Sequence, residues 1–439
     1  MRVVGFALAV LSVLGAASAE AQEGGPAVVV TPGTVHAFRA AVQGFADRSL
    51  PPDLARVQAL RATIEEGLEF SNVLVPLPRA AFLGPEQTLD VDEQPTCSDW
   101  TQSGADALVE GEVAESGGSL LVTFKVWDTA RCVQLLRDEI RRPAASLRRL
   151  GKLVADSVVQ AFTGARGAAA TDIAFISTRT GRREVFVMDA DGGNPRSATR
   201  SASIKAFPDW LPRGDGIIYT SYMKNGQPSL FLTSRGGARP GPILTKVLPQ
   251  MAKYRGVVAA DGETMALVGS VEGNSEIFRV RRDGKKLRRL TRGAGINVGP
   301  SWSPDGKRLA FVSDRSGSPQ IYMMDRDGKG VRRLTFQGSY NTSPAWSPDG
   351  RWIAYESRID NQFDIWLIDP EGEVNFPLIA HPRTDEAPSW SPDGRMLAFS
   401  STRRGRKDIY IVDASGQNLR RLTQQAGDNS QPSWGPFAH

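Results

Sequence analysis

Asn297, Asn341, Asp385 and Asn429 recur every 44 residues, each three positions before a proline, and Lys205 and Lys253 hold the equivalent places upstream. Short amides, a carboxylate and two ammonium groups offer hydrogen-bonding chemistry, not bond-breaking chemistry. If the repeat that carries them closes into a ring, these six side chains circle one mouth of its channel and form a polar docking surface. The competing reading is that Asn and Asp satisfy the backbone of local turns. Asp305 and Asp349, the carboxylates that could be paired for acid/base work, both lie inside Ser-Pro-Asp-Gly strings. Proline presets the second position of a type I turn, aspartate is tolerated at the third and glycine favoured at the last, so these are turn residues first.

Other catalytic constellations are missing. The chain has no G-x-S-x-G nucleophile elbow, no H-E-x-x-H and no P-loop. The glycine-rich string from Gly293 to Gly299 has the wrong last spacing for a dinucleotide fingerprint and links two strands instead of opening a helix. Three histidines (His36, His381, His439) and two cysteines leave little material for a zinc site. We expect no catalytic residue, no cofactor and no metal centre, and therefore no enzyme. With 53 Lys+Arg against 48 Asp+Glu, the net charge of +5 over 439 residues does not argue for nucleic acid. The pairs Arg288-Arg289, Arg332-Arg333 and Arg420-Arg421 are expected on outer strands, keeping edges soluble.

The elements that must position the polar ring come from the same period. Trp302, Trp346, Trp390 and Trp434 are also 44 residues apart, and the first three open the string Trp-Ser-Pro-Asp-Gly. After each turn comes an alternating strand (Leu309 to Ser313, Ile353 to Ser357, Leu397 to Ser401), then a second such as Gln320 to Asp325 and a third such as Val331 to Thr335. Weaker copies upstream place the matching strands around residues 174, 218 and 266. Six copies of four short strands are the signature of a six-bladed β-propeller over residues 171–439, each blade burying its faces against its neighbours. The first copy lacks its tryptophan strand and the chain ends on an orphan one, Gln431 to Pro436. That strand is expected to complete the first blade and tie the ring. The tryptophans read as blade-to-blade packing.

Residues 22–164 read differently, as an α/β domain. Ala27 to Val30, Val35 to Phe45 and Asn72 to Leu77 read as strands. Asp53 to Gly67 reads as a helix with Leu54, Val57, Leu60 and Ile64 on one face. Ala107 to Val113 and Leu120 to Trp127 form a hairpin around Ser116-Gly117-Gly118, and Cys132 to Ile140 follows as a further strand. Ala144 to Phe162 is an amphipathic helix ending at Gly164, and the small residues of 165–170 form the expected hinge. Residues 1–21 carry a positive start, an apolar run and small residues at Ala17-Ser18-Ala19 or Ala19-Glu20-Ala21, the pattern of a cleaved secretory signal. The run is too short to span a bilayer, and no other window is long enough. Export lets Cys97 and Cys132 form a disulfide worth about 4 kcal/mol in the chain-entropy model. Two buried free thiols or a reactive thiol are the alternatives, the latter with no histidine nearby in sequence.

The succession W-S-P-D-G, L-A-F-V-S-D, I-Y-M-M-D, D-G, R-R-L-T resembles the repeat of the TolB family, periplasmic propellers of the Tol-Pal system. The order of export signal, α/β domain and six blades closed by a final Ser-Trp strand is similar too. The resemblance implies a periplasmic, non-enzymatic protein-protein adaptor that helps maintain the outer membrane and aids envelope constriction at division. It implies that the propeller mouth binds the lipoprotein Pal, through the six positions above with Thr342 and Glu386 beside them, and that the mature N-terminal segment engages TolA. Two other classes use similar repeats: propellers attached to peptidase-like hydrolases, whose nucleophile elbow is absent here, and propellers that bind glycans or peptidoglycan.

Overall fold

The computed structural model describes residues 37–83, 94–224, 226–235, 240–247, 251–293, 295–424 and 427–437. The expected signal segment, the expected strand Ala27 to Val30, and His36 and His439 lie outside them.

The N-terminal unit is one sheet backed by two helices. In chain order its elements are β1 (Phe38–Val42), β2 (Ala46–Asp47), α1 (Leu54–Phe70), β3 (Leu74–Pro76), α2 (Cys97–Gln102), β4 (Ala107–Ser116), β5 (Ser119–Asp128), β6 (Val133–Pro143) and α3 (Leu147–Thr163). The sheet order is β3-β1-β4-β5-β6, parallel from β3 to β4 and antiparallel beyond. Asp53 caps α1 by accepting the amides of Ala55 and Arg56, and Gly164 ends α3 in the left-handed conformation (φ 73°) that costs glycine least. Leu60, Ile64 and Leu68 of α1 and Leu150, Val154 and Val158 of α3 pack on the sheet with Val109, Val122 and Phe124. Leu54, expected on this face, is 75% exposed, because the buried stripe of α1 starts a turn later. On the far side of the sheet, Cys97 at the start of α2 is bonded to Cys132, pinning that short helix to the β5–β6 turn. At six residues α2 is too short to show a helical period in the sequence.

Beyond it lie six four-stranded antiparallel sheets. Blade one contains Asp172–Ser177, Glu184–Asp189 and Arg196–Ser197, and its innermost strand is Asn429–Trp434 from the chain end. The orphan strand therefore closes the ring as expected. The inner strands of blades two to six are Lys205–Trp210, Lys253–Val258, Asn297–Trp302, Tyr340–Trp346 and Asp385–Trp390. The tryptophans stitch neighbours together: Trp302 donates to the Val257 carbonyl (3.3 Å), Trp390 to that of Ala345 (3.0 Å), and Trp210 to that of Ser433 (3.1 Å). Each of these bonds crosses to the preceding blade, so the buried indoles hold the ring as well as fill it.

The Trp-Ser-Pro-Asp-Gly turns lie at one end of the ring, and the N-terminal unit sits there. Phe70 packs on Trp434 with ring centroids 6.5 Å apart, Arg395 donates to Thr163 (2.7 Å), and Lys152 pairs with Asp191 (2.6 Å). The expected hinge is not one. Asp156 on α3 accepts the amides of Ala169 (2.7 Å) and Ala170 (3.0 Å), and Ala168, Ala169 and Ala170 are all buried. Small residues here allow close packing between the two units in place of freedom, which corrects the expectation for 165–170. Among the described residues no helix is long and apolar enough to cross a membrane.

Candidate docking face at the channel mouth

The six positions singled out by their spacing do lie at the start of the inner strands, Asn341 one residue in, at the end of the ring away from the N-terminal unit. Their side chains, however, face the seams between blades. Asn297, Asn341, Asp385 and Asn429 are 0% exposed, Lys205 1% and Lys253 4%. A docking role for these side chains is corrected by their burial: a fully covered amide cannot meet a partner.

What they do instead is built from two further residues per blade. A residue at or near the start of the third strand, Glu184, Glu276, Gln320 or Asp408, accepts the hydroxyl of the threonine that follows the outer strand: Thr199, Thr291, Thr335 or Thr423. Each threonine oxygen in turn accepts a third-strand amide, from Val185, Ile277, Ile321 or Ile409 (2.9 to 3.0 Å). The same acceptor then takes the next blade's ring residue. Lys205 donates to Glu184 (2.9 Å), Asn297 to Glu276 (3.2 Å), Asn341 to Gln320 (2.7 Å) and Asn429 to Asp408 (3.5 Å). These buried polar groups fix one register, because a slipped blade would strand the donors and acceptors that meet here. The outer-strand arginines join in, Arg289 to Glu276 (2.8 Å) and Arg421 to Asp408 (2.7 Å), so they are more than solubilising edge residues. Blade six departs: a carboxylate, Asp364, occupies the acceptor position before Asp385, and Asp385 is held by Arg403 from its own blade (2.9 Å). Burial nonetheless pushes the Asp385 carboxyl up.

Sequence reading missed these acceptors and threonines, although the signal was present. Glu276, Gln320, Asp364 and Asp408 are 44 residues apart, and so are Thr291 and Thr335. The turn carboxylates behave as read: Ser303 donates to Asp305 (2.6 Å) and Ser347 to Asp349 (2.5 Å). Hydrogen bonding to Ser303 holds Asp305 below the usual carboxylate range, so it is no proton donor.

The loops around the buried ring form the face that a partner would meet. Thr342 and Glu386 are half-buried there, Glu386 paired with Lys407. The large apolar side chains Phe336 (72% exposed), Ile204 (55%) and Ile296 (50%) stand out of it. Arg182, Arg183, Arg200, Arg292, Arg383 and Arg404 are exposed on the same loops, against Glu272, Asp360 and Asp428. A basic rim with apolar anchors is docking geometry for a protein whose facing surface is acidic. Among the described residues no group of three or more His, Cys, Asp or Glu is placed to hold a metal ion.

Comparison with known proteins agrees with this architecture. A family model described as the TolB beta propeller domain matches residues 159–438. The chain belongs to the TolB family. A second model, the TolB amino-terminal domain, matches residues 26–135. A Tol-Pal system protein TolB from Desulfosudis oleivorans is 36% identical over 253 residues, 56% of this chain and 55% of that protein. Its namesake from Bordetella pertussis is 34% identical over 223 residues, 49% of each. The chain thus spans about half the length of these curated relatives. The crystal structure of TolB from Acinetobacter baumannii superposes with a TM-score of 0.76 at 26% identity, covering 92% of this chain and 98% of that one.

Proposed function

We propose that this chain works in the periplasm as a non-enzymatic adaptor of the Tol-Pal system. Its propeller mouth docks the lipoprotein Pal, and its mature N-terminal segment engages TolA. Its contribution is to outer-membrane integrity and to envelope constriction at division. Membership of the TolB family and the name of its relatives support the system. The observation that carries the docking face is the mouth itself: the N-terminal unit covers the opposite end of the ring, while the mouth presents exposed Phe336 and Ile296 inside a rim of arginines. The deep residues hold the blades in register, and the loops above them supply the contact.

The test is capture of purified Pal by the wild type and by a double variant of exposed residues, Phe336→Asp with Arg404→Glu. Losing an apolar anchor and reversing a rim charge should weaken capture at least tenfold. Unchanged capture, with the fold intact by circular dichroism, would place the docking face elsewhere.

A further inference from the structure

Every inner strand bulges two residues after its ring position. Phe207, Arg255, Gly299, Ser343, Ala387 and Gln431 have φ between 49° and 59°, and pairing with the second strand slips at each of them. Five are not glycine, and side chains avoid this conformation unless the surroundings enforce it; such strained positions cluster at functional sites. The bulges stand two residues below the ring, about 7 Å down the channel at roughly 3.3 Å per residue.

Arg255 stands out among them. Its guanidinium carbon lies 4.2 Å from the centroid of the Phe207 ring on one neighbouring blade. On the other neighbour, a Cβ added to Gly299 would come within 2.8 Å of its Nη1. The one glycine of the six is therefore where the guanidinium passes. The backbone amide of Arg255 is taken by Thr220 (3.1 Å), but among the described residues no carboxylate lies within the 4.0 Å of an ion pair with its side chain. The charged and titratable groups that face it are Glu356, Tyr254 and Tyr340. Glu356 is committed elsewhere, to the amide of Ala387 (2.6 Å) and to Ser343. Partial burial lowers the proton affinity of Arg255, as expected of a half-buried cation without a close counter-ion.

We infer that Arg255 is the carboxylate receptor of the channel mouth, met by an acidic side chain that a docking protein inserts past the rim. This rests on the reading of the mouth as a docking face. The chemistry is specific. A guanidinium held over an aromatic ring has a planar fork that matches a carboxylate with two parallel N–H···O bonds. The depth suits an aspartate or glutamate at the tip of a loop, and the basic rim steers such a loop inward.

Titration calorimetry on the full chain tests it with octa-L-glutamate, octa-L-glutamine and acetate as probes, using wild type, Arg255→Gln, Arg255→Lys and the rim variant Arg404→Gln. Octaglutamate should bind wild type and lose at least tenfold on Arg255→Gln but under threefold on Arg404→Gln. Arg255→Lys, which keeps the charge and the fold but not the fork, should lose three- to tenfold. Octaglutamine should give no binding. Equal losses at Arg255 and Arg404, or binding of octaglutamine, would overturn the inference. So would an Arg255-dependent response to acetate with none to the peptide, which would make the site one for small free carboxylates. If Arg255→Gln leaves octaglutamate binding intact while the Phe336→Asp, Arg404→Glu variant loses Pal, only this inference fails; if that variant keeps Pal, the docking face fails with it.

Discussion

Asn341 donates from Nδ2 to Oε1 of Gln320 at 2.7 Å, across the seam between blades four and five. Both side chains are buried, and Thr335 bonds the same oxygen at 2.9 Å. Asn341→Ala leaves that seam short of a donor and should cost about 1–3 kcal/mol, read from the urea midpoint. Asn341→Arg should cost more, since it forces a longer charged group into a filled seam. A docking variant made at this residue would therefore measure folding, not recognition.

Ring closure depends on the chain end. Trp434 donates to Thr171 at 2.8 Å and packs on Phe70. Trp434→Ala should cost about 3–5 kcal/mol, the usual range for a buried large side chain. It should also loosen blade one against the N-terminal unit, seen as faster limited proteolysis near residues 165–170 than in a Trp302→Ala control.

The disulfide belongs to the N-terminal unit alone. Cys97→Ala with Cys132→Ala should lower the stability of that unit by about 2–5 kcal/mol. In a thermal scan, reductant should shift the transition of the wild type but not that of the double variant, with the propeller transition moving in neither.

Asp156 gives the clamp between the units a pH dependence. Burial pushes its carboxyl up to about 7 from 3.8, against the pull of the two amides it holds. Between those values the folded state retains a proton that the unfolded chain has released, so this group's contribution to stability falls as pH rises through the window. Asp209, half-buried beside Ser433 and likewise raised to about 7 by desolvation, acts in the same direction. Denaturant midpoints taken from pH 4.5 to pH 8 should decline in the wild type, less steeply in Asp156→Asn, and least in Asp156→Asn with Asp209→Asn. An equal slope in all three would show that these carboxyls titrate normally.

The sequence by itself determined the ring. A period of 44 residues carrying tryptophan, proline, aspartate and glycine at fixed places specifies strands and turns locally, and local rules repeat without error when the unit repeats. Blade number, the closing strand and the helical stripe of α3 were legible for that reason. So was the equal spacing of Asn297, Asn341, Asp385 and Asn429, but spacing cannot say whether a side chain faces a channel or a seam. Only the tertiary structure decided that: the side chains at the ring positions are covered by acceptors on the neighbouring blade, while Arg255, at the bulge, lies against the bulge residues Phe207 and Gly299 of its two neighbours. The same holds for Ala169 and Ala170: small residues look like a hinge in one dimension, and become a clasp when a buried carboxylate from another element supplies their hydrogen bonds.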